Sequence, residues 1–134
     1  MGNVGEEIAA KFAEEKLKAT VYEKEKPTGP DRKIIYDSEP GILEAKLTTY
    51  ESDLETMFVD AIYDICRRFR QNSRYRQGVA VAVYFDEDTG NFDLIYRIVT
   101  PETQDTAFKG LHVPKYLTGK IKDLGLNRSE GEEL

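Results

Sequence analysis

From Leu54 to Phe69 the apolar residues Leu54, Met57, Phe58, Ala61, Ile62, Ile65, Cys66 and Phe69 recur by threes and ones. That spacing predicts one apolar face of an α-helix about four turns long. Ser52 and Glu55 stand where a Ser-x-x-Glu capping box would open it, the hydroxyl taking a first-turn N–H and the carboxylate reaching back to the cap residue. Acidic residues come early (Asp53, Glu55, Asp60) and arginines late, the order the helix dipole favours. The period then changes. Val79 to Phe85 is almost wholly apolar, as expected of a strand covered on both faces. Phe92, Leu94, Tyr96 and Ile98 alternate with Asp93, Ile95, Arg97 and Val99 in a return strand, and Gly90 is placed for the left-handed position that closes such a hairpin.

Weaker patterns flank this unit. Ile8, Ala9, Phe12, Ala13 and Leu17 predict a short amphipathic helix over 6–18. Alternation from Ala19 to Lys26, a break at Pro27-Thr28-Gly29-Pro30-Asp31 and a strand-like run at Lys33 to Tyr36 predict a loose hairpin. Glu39-Pro40-Gly41 reads as a second break. Residues 42–50 fit either period: Leu43, Ala45, Leu47 and Thr49 alternate, while Leu43, Leu47, Tyr50 and Leu54 fit a helix. Thr48, Thr49 and Tyr50 prefer pleated backbone, which favours the strand. A polar loop follows Thr100-Pro101, and Val113 to Leu124 predicts a closing helix. The predicted class is therefore α+β: an antiparallel sheet of four to five strands packed on a long central helix, with short N- and C-terminal helices. Residues 1–126 are expected to form one domain and 127–134 an acidic, flexible tail.

Charge divides the chain. The net charge is −6, yet residues 52–78 carry five basic against four acidic side chains, and 79–100 one basic against four acidic. The acidic flanks disfavour nucleic acid and anionic membrane as partners and favour a basic protein. No apolar run is long enough to span a membrane, and the acidic start is unlike a signal peptide, which predicts a cytoplasmic protein.

Arg67, Arg68, Arg70, Arg74 and Arg76 fall within ten residues that contain no lysine. Their planar forks suit phosphate or carboxylate, which makes them the candidate anion site, although the helix C-terminus offers them a structural role as well. Asp86, Glu87, Asp88 and Asp93 crowd the hairpin tip and form the candidate docking surface for a basic partner, joined by Tyr63 and Tyr75 as interface tyrosines. The tip lacks the alternating ligands of an EF-hand loop. Cys66 and His112 are the lone thiol and imidazole. Cys66 lies on the apolar helix face, so no nucleophile pair and no zinc site are expected, and there is no phosphate-binding glycine loop. No cofactor and no enzymatic activity are expected.

The run Phe69-Arg70-Gln71-Asn72, then Val79-Ala80-Val81, then Asp88-Thr89-Gly90-Asn91-Phe92-Asp93-Leu94-Ile95-Tyr96 resembles the second half of the YezG-type immunity proteins of bacterial polymorphic toxin systems. That resemblance implies an acidic, soluble, cysteine-poor protein that neutralises a toxin. Residues 55–100 also resemble the N-terminal domain of the transcription factor NusA, which would imply contact with RNA polymerase. The leading expectation is thus a non-enzymatic acidic binding protein that inhibits a partner by steric and electrostatic occlusion. A polymerase-binding regulatory module is the alternative, and an anion or small-ligand binder using the Arg cluster the third.

Overall fold

A computed structural model describes residues 4–24 and 29–126. The tail read at 127–134 lies outside them, as do Glu25 and Lys26 of the predicted alternation and Pro27 and Thr28 of the predicted break. Helix α1 (Val4–Lys16) leads through a two-residue strand β1 (Thr20–Val21) to β2 (Arg32–Tyr36) and β3 (Glu39–Thr48). A 3-10 turn (Glu51–Asp53) opens α2 (Leu54–Gln71), and the β4–β5 hairpin (Gln77–Phe85, Phe92–Val99) follows. The segment read as a polar loop is a six-residue 3-10 helix, Pro101–Thr106, capped by Thr100, and α3 (Lys115–Asp123) comes last.

The five strands form one sheet in the order β1-β2-β3-β4-β5. It is mixed, which corrects the antiparallel expectation: β3 and β4 run parallel, from Gly41 opposite Gln77 to Thr48 opposite Tyr84, while every other pair is antiparallel. The cause is α2. A hairpin turn reverses the chain, whereas a helix lying across the sheet carries it back so that the next strand starts at the same end as the last. The break read at Glu39-Pro40-Gly41 also moves. Those residues begin β3, and the reversal is made by Asp37 and Ser38, both at positive φ (55° and 66°), between the paired Tyr36 and Glu39. Two left-handed residues are what a tight two-residue hairpin needs, and a short polar side chain such as Asp tolerates that conformation.

β4 is central, as its apolar run predicted. Val79, Val81 and Val83 join Ile34 and Leu43 under Ala9 and Ala10 of α1. Ala80 and Ala82 face the other way with Ile42, against Phe58, Val59, Ile62, Ile65 and Phe69 of α2 and Leu117 and Ile121 of α3. The sheet therefore separates two cores, with α1 on one side and α2 and α3 on the other. Small residues on the α2 side let the helix approach closely, most of all at Gly78. A Cβ there would fall 2.4 Å from the Ile65 Cγ2. Gly78→Ala should therefore lower stability by about 1–3 kcal/mol through overpacking, read as a reduced urea midpoint with unchanged slope.

The capping box does not form. Ser52 lies in the exposed 3-10 turn, Asp53 precedes α2 without a side-chain cap, and the Glu55 carboxylate accepts the His112 N–H at 2.9 Å. Glu55 thus ties the start of α2 to the segment entering α3.

Candidate functional site

The five arginines do not converge. Successive helix positions diverge by about 100°, and Arg74 and Arg76 lie beyond the end of α2. Arg70 donates to the Leu124 carbonyl through Nε (3.0 Å) and Nη2 (2.6 Å), to the Cys66 carbonyl (2.8 Å) and to the Gln104 side chain, so it fastens the end of α3 to α2. Arg76 pairs with Glu39 (3.9 Å) and Glu102 (3.6 Å). Arg74 is exposed, and its backbone N–H bonds the Asn72 side chain at 2.9 Å. Arg67 pairs with Asp64 at 3.3 Å. Arg68 turns to the buried Glu44 of β3.

The hairpin tip is built largely for its own geometry. The Asp86 carboxylate accepts the Asp88 N–H (2.9 Å), the Asp86 carbonyl accepts the Gly90 N–H (2.8 Å), and Gly90 takes the expected left-handed conformation at φ 77°. Glu87, Asp88 and Asp93 are exposed. Tyr63 and Tyr75 are half-buried against the core under α2 rather than fully presented at the surface. Cys66 is wholly buried, and burial pushes its thiol up to about 12, so it is inert as a nucleophile.

A second charged group, joining Arg68 to acids and lysines that the sequence did not single out, lies between α2 and the sheet. Asp31 sits just before β2 and opposite Glu44 of β3, one step beyond the paired Arg32 and Leu43. Two hydrogen bonds lock the pair: the Asp31 N–H donates to Glu44 Oε2 (3.2 Å), and the Ala45 N–H donates to Asp31 Oδ2 (2.9 Å). Lys46, two residues after Glu44 and so on the same strand face, bonds Asp64 of α2 at 2.8 Å. Arg68 reaches Glu44 Oε2 with Nε at 3.4 Å and donates to the Gly29 carbonyl at 3.0 Å. Lys24 stands 3.7 Å from Asp31.

The electrostatics set the protonation states. Glu44 is 2% exposed. Burial first, then the neighbouring Asp31 and Asp64 charges, push its carboxyl up to about 7, against the opposing pull of Arg68 and the Asp31 N–H. For Lys46, burial works to lower the ammonium, but the Asp64 hydrogen bond and the Asp64, Asp60 and Glu44 charges together outweigh it and hold it above its ordinary value. Lys46 is accordingly a permanent cation there, suited to stabilise negative charge and not to act as a base. Asp60 is raised as well, chiefly by burial, with Asp64 adding to it and Lys46 and Lys120 opposing.

Both carboxylates already have a cation against them, Arg68 at Glu44 and Lys24 at Asp31. A hard divalent ion of the Mg²⁺ class, commonly held by one or two carboxylates, would have to displace these partners to bind the pair. Among the described residues no group of three or more His, Cys, Asp or Glu side chains could hold a metal.

A signal for these residues lies in the alternation along β3. Glu44 and Lys46 occupy alternate positions of a strand whose other face is apolar, and such a strand is taken to show its charged side to water. The fold covers that side with α2.

No family model matches the chain, and no curated protein matches it. On its fold it is an α+β protein with a five-strand mixed sheet between helical layers. Among the described residues no helix is long and apolar enough to cross a membrane.

Proposed function

We propose that the chain is a divalent-cation-dependent hydrolase of phosphodiesters, with Asp31 and Glu44 as the cation ligands and Lys46 as the charge-stabilising residue. The observation that carries the reading is the pairing of half-buried Asp31 with buried Glu44, with Lys46 on the same strand face. When bound, the cation would polarise a phosphoryl oxygen and favour the ionised form of a coordinated water. Asp31 and Glu44 hold and orient that centre, and the Lys46 ammonium donates to the oxygen on which charge develops. Overall, a water oxygen bonds to phosphorus, the bond from phosphorus to the leaving ester oxygen breaks, and that oxygen takes up a proton. The products are a phosphate monoester and an alcohol.

A nucleic-acid strand fits the rim of the site better than a small ester. The half-exposed cations Lys24, Lys46 and Arg67 border it, and would exchange their Asp31 and Asp64 partners for backbone phosphates.

The test is cleavage of end-labelled single- and double-stranded DNA and RNA oligonucleotides with Mg²⁺ or Mn²⁺. Cleavage should require the cation, cease with excess chelator, and fall by about 10²–10³-fold in Lys46→Ala, the loss typical of removing one charge-stabilising donor. Cleavage that persists in chelator, or that is unchanged in Lys46→Ala, rejects the assignment.

A second reading, the acidic partner-occluding protein of the immunity type, is favoured by the surface beside the hairpin tip. Phe92 and Tyr96 are 46% and 45% exposed on the α1 side of β5, with the Phe12 ring 4.8 Å from Tyr96, next to the exposed acids of the tip. Exposed aromatics bordered by charge are common in protein interfaces. Capture of a basic protein partner that is lost on Phe92→Ser, together with no cation-dependent cleavage, would favour this reading over the first.

A further inference from the structure

We infer that the outer edge of β5 pairs with β5 of a second copy of this chain, antiparallel and in the register that sets Asp93 opposite Arg97, so that the two sheets become one. The strand order ends at β5, whose eight residues include no proline and no lysine. Its register with β4 runs from Phe85 opposite Phe92 to Gly78 opposite Val99 without a bulge. Natural sheets blunt a solvent edge with short strands, lysine, proline or bulges. The opposite edge follows that practice, since β1 is two residues long. β5 does not. The Asp86 N–H donates to the Asn91 carbonyl, which makes theirs a hydrogen-bonded pair and sets the phase of the ladder. Asp93, Ile95 and Arg97 therefore turn their backbone groups to β4, whereas Phe92, Leu94, Tyr96 and Ile98 turn theirs to the open edge.

Charge selects the occupant. A twofold contact is self-complementary, and here the outward-facing residues must pair among themselves. With Phe92 opposite Ile98 and Leu94 opposite Tyr96, Ile95 meets its own copy on the twofold axis and Asp93 meets Arg97 on both sides of it. Sliding one copy by two residues takes these charges apart, and sliding it by four sets Asp93 or Arg97 against itself. Asp93 is exposed. Arg97 lies over the Phe58 ring at 5.5 Å and, among the described residues, donates through Nη1 alone, to the Ala107 and Lys109 carbonyls (2.5 and 3.2 Å). It is thus held in place with Nε and Nη2 left for a carboxylate. Directly opposite residues at such a position have Cα atoms about 4.5 Å apart, close enough for the side chains to meet. On the α1 side Phe92 and Tyr96, 46% and 45% exposed, would be covered by Ile98 and Leu94 of the other copy. A strand with one charge of each sign favours a copy of itself over a uniformly basic or acidic strand. The contact is independent of any chemistry at Asp31 and Glu44.

The experiment is sedimentation equilibrium of the protein over a range of concentrations, with thermal melts in parallel to show that each variant is folded. Wild-type protein should form a dimer at micromolar concentration. Asp93→Arg changes an exposed side chain and sets like charges opposite each other at two symmetric places. It should weaken the dimer by at least about tenfold while melting within a few degrees of wild type. Cross-linking reads the register. Ile95→Cys should form an intermolecular disulfide under mild oxidation, because its Cα atoms would face each other at about 4.5 Å. Phe92→Cys, more exposed but set far from its own copy, should not, and the buried Cys66 does not compete. Wild-type protein that stays monomeric up to millimolar concentration overturns the inference. So does a dimer that survives Asp93→Arg unchanged, or one in which Ile95→Cys fails to cross-link, because either would lie on another surface.

Discussion

Asp31→Asn is expected to reduce cation-dependent phosphodiester cleavage by about 10³-fold or more while leaving the fold intact. The size follows from what the carboxylate supplies. An ion's charge at a reacting phosphoryl group is worth several kcal/mol of transition-state stabilisation, and each 1.36 kcal/mol is tenfold in rate. Asparagine keeps an oxygen that can accept the Ala45 N–H, so the lock between the start of β2 and β3 survives. What is lost is the negative charge. The substitution even relieves repulsion of Glu44, which Asp31 helps to raise, so the melting temperature should hold or rise. Activity falling while stability holds is the signature of a functional group. A variant that loses both together, or neither, contradicts the role given to Asp31.

The second large effect concerns stability and pH. Glu44 ionises near 7 in the folded chain against an ordinary value of 4.5, so the folded state binds a proton that the unfolded chain has already released. The stabilisation from that proton is complete below about pH 4.5 and is lost as pH rises through about 7. The gap between the two values corresponds to about 3 kcal/mol. Glu44→Gln mimics the neutral form at every pH. It leaves Arg68 without its ionic partner, a cost that does not change with pH over this range. In chelator-treated buffer the stability of Glu44→Gln relative to wild type should therefore improve by about 3 kcal/mol between pH 4.5 and pH 8. Urea denaturation at several pH values measures that difference directly. A difference that stays flat across the range would mean that Glu44 is ionised in the fold at all of them.

How far such features can be read from sequence depends on whether the cause is local. The α2 stripe, the apolar run of β4 and the Gly90 turn are each set by neighbours within a few residues, and each appears where its pattern places it. The parallel pairing of β3 and β4 depends on where α2 returns across the sheet, which no local pattern encodes. The turn at Asp37 and Ser38 was masked by Pro40 and Gly41, stronger punctuation that the strand nevertheless absorbs. Ser52 and Glu55 had the right spacing for a cap, but His112, 57 residues from Glu55, took the carboxylate instead.

The site follows the same rule. The arginines are conspicuous because they are adjacent in sequence, and adjacency on a helix sends side chains in different directions. Glu44 and Lys46 are two charges among many in a chain that is 33% charged. They become informative only once α2 is known to lie over them and Asp31, 13 residues before Glu44, is brought to its side. The pairing of a loop carboxylate with a buried strand carboxylate is tertiary, and sequence spacing alone gives it no weight.

Diffraction from crystals soaked in Mn²⁺, with anomalous differences collected at a wavelength where manganese scatters strongly, tests the central claim most directly. The expected result is one strong peak between Asp31 and Glu44, within about 2.1 Å of an oxygen from each, with Lys46 beside it. No peak there, or a peak only at the exposed acids Asp88 and Asp93 of the hairpin tip, would contradict it.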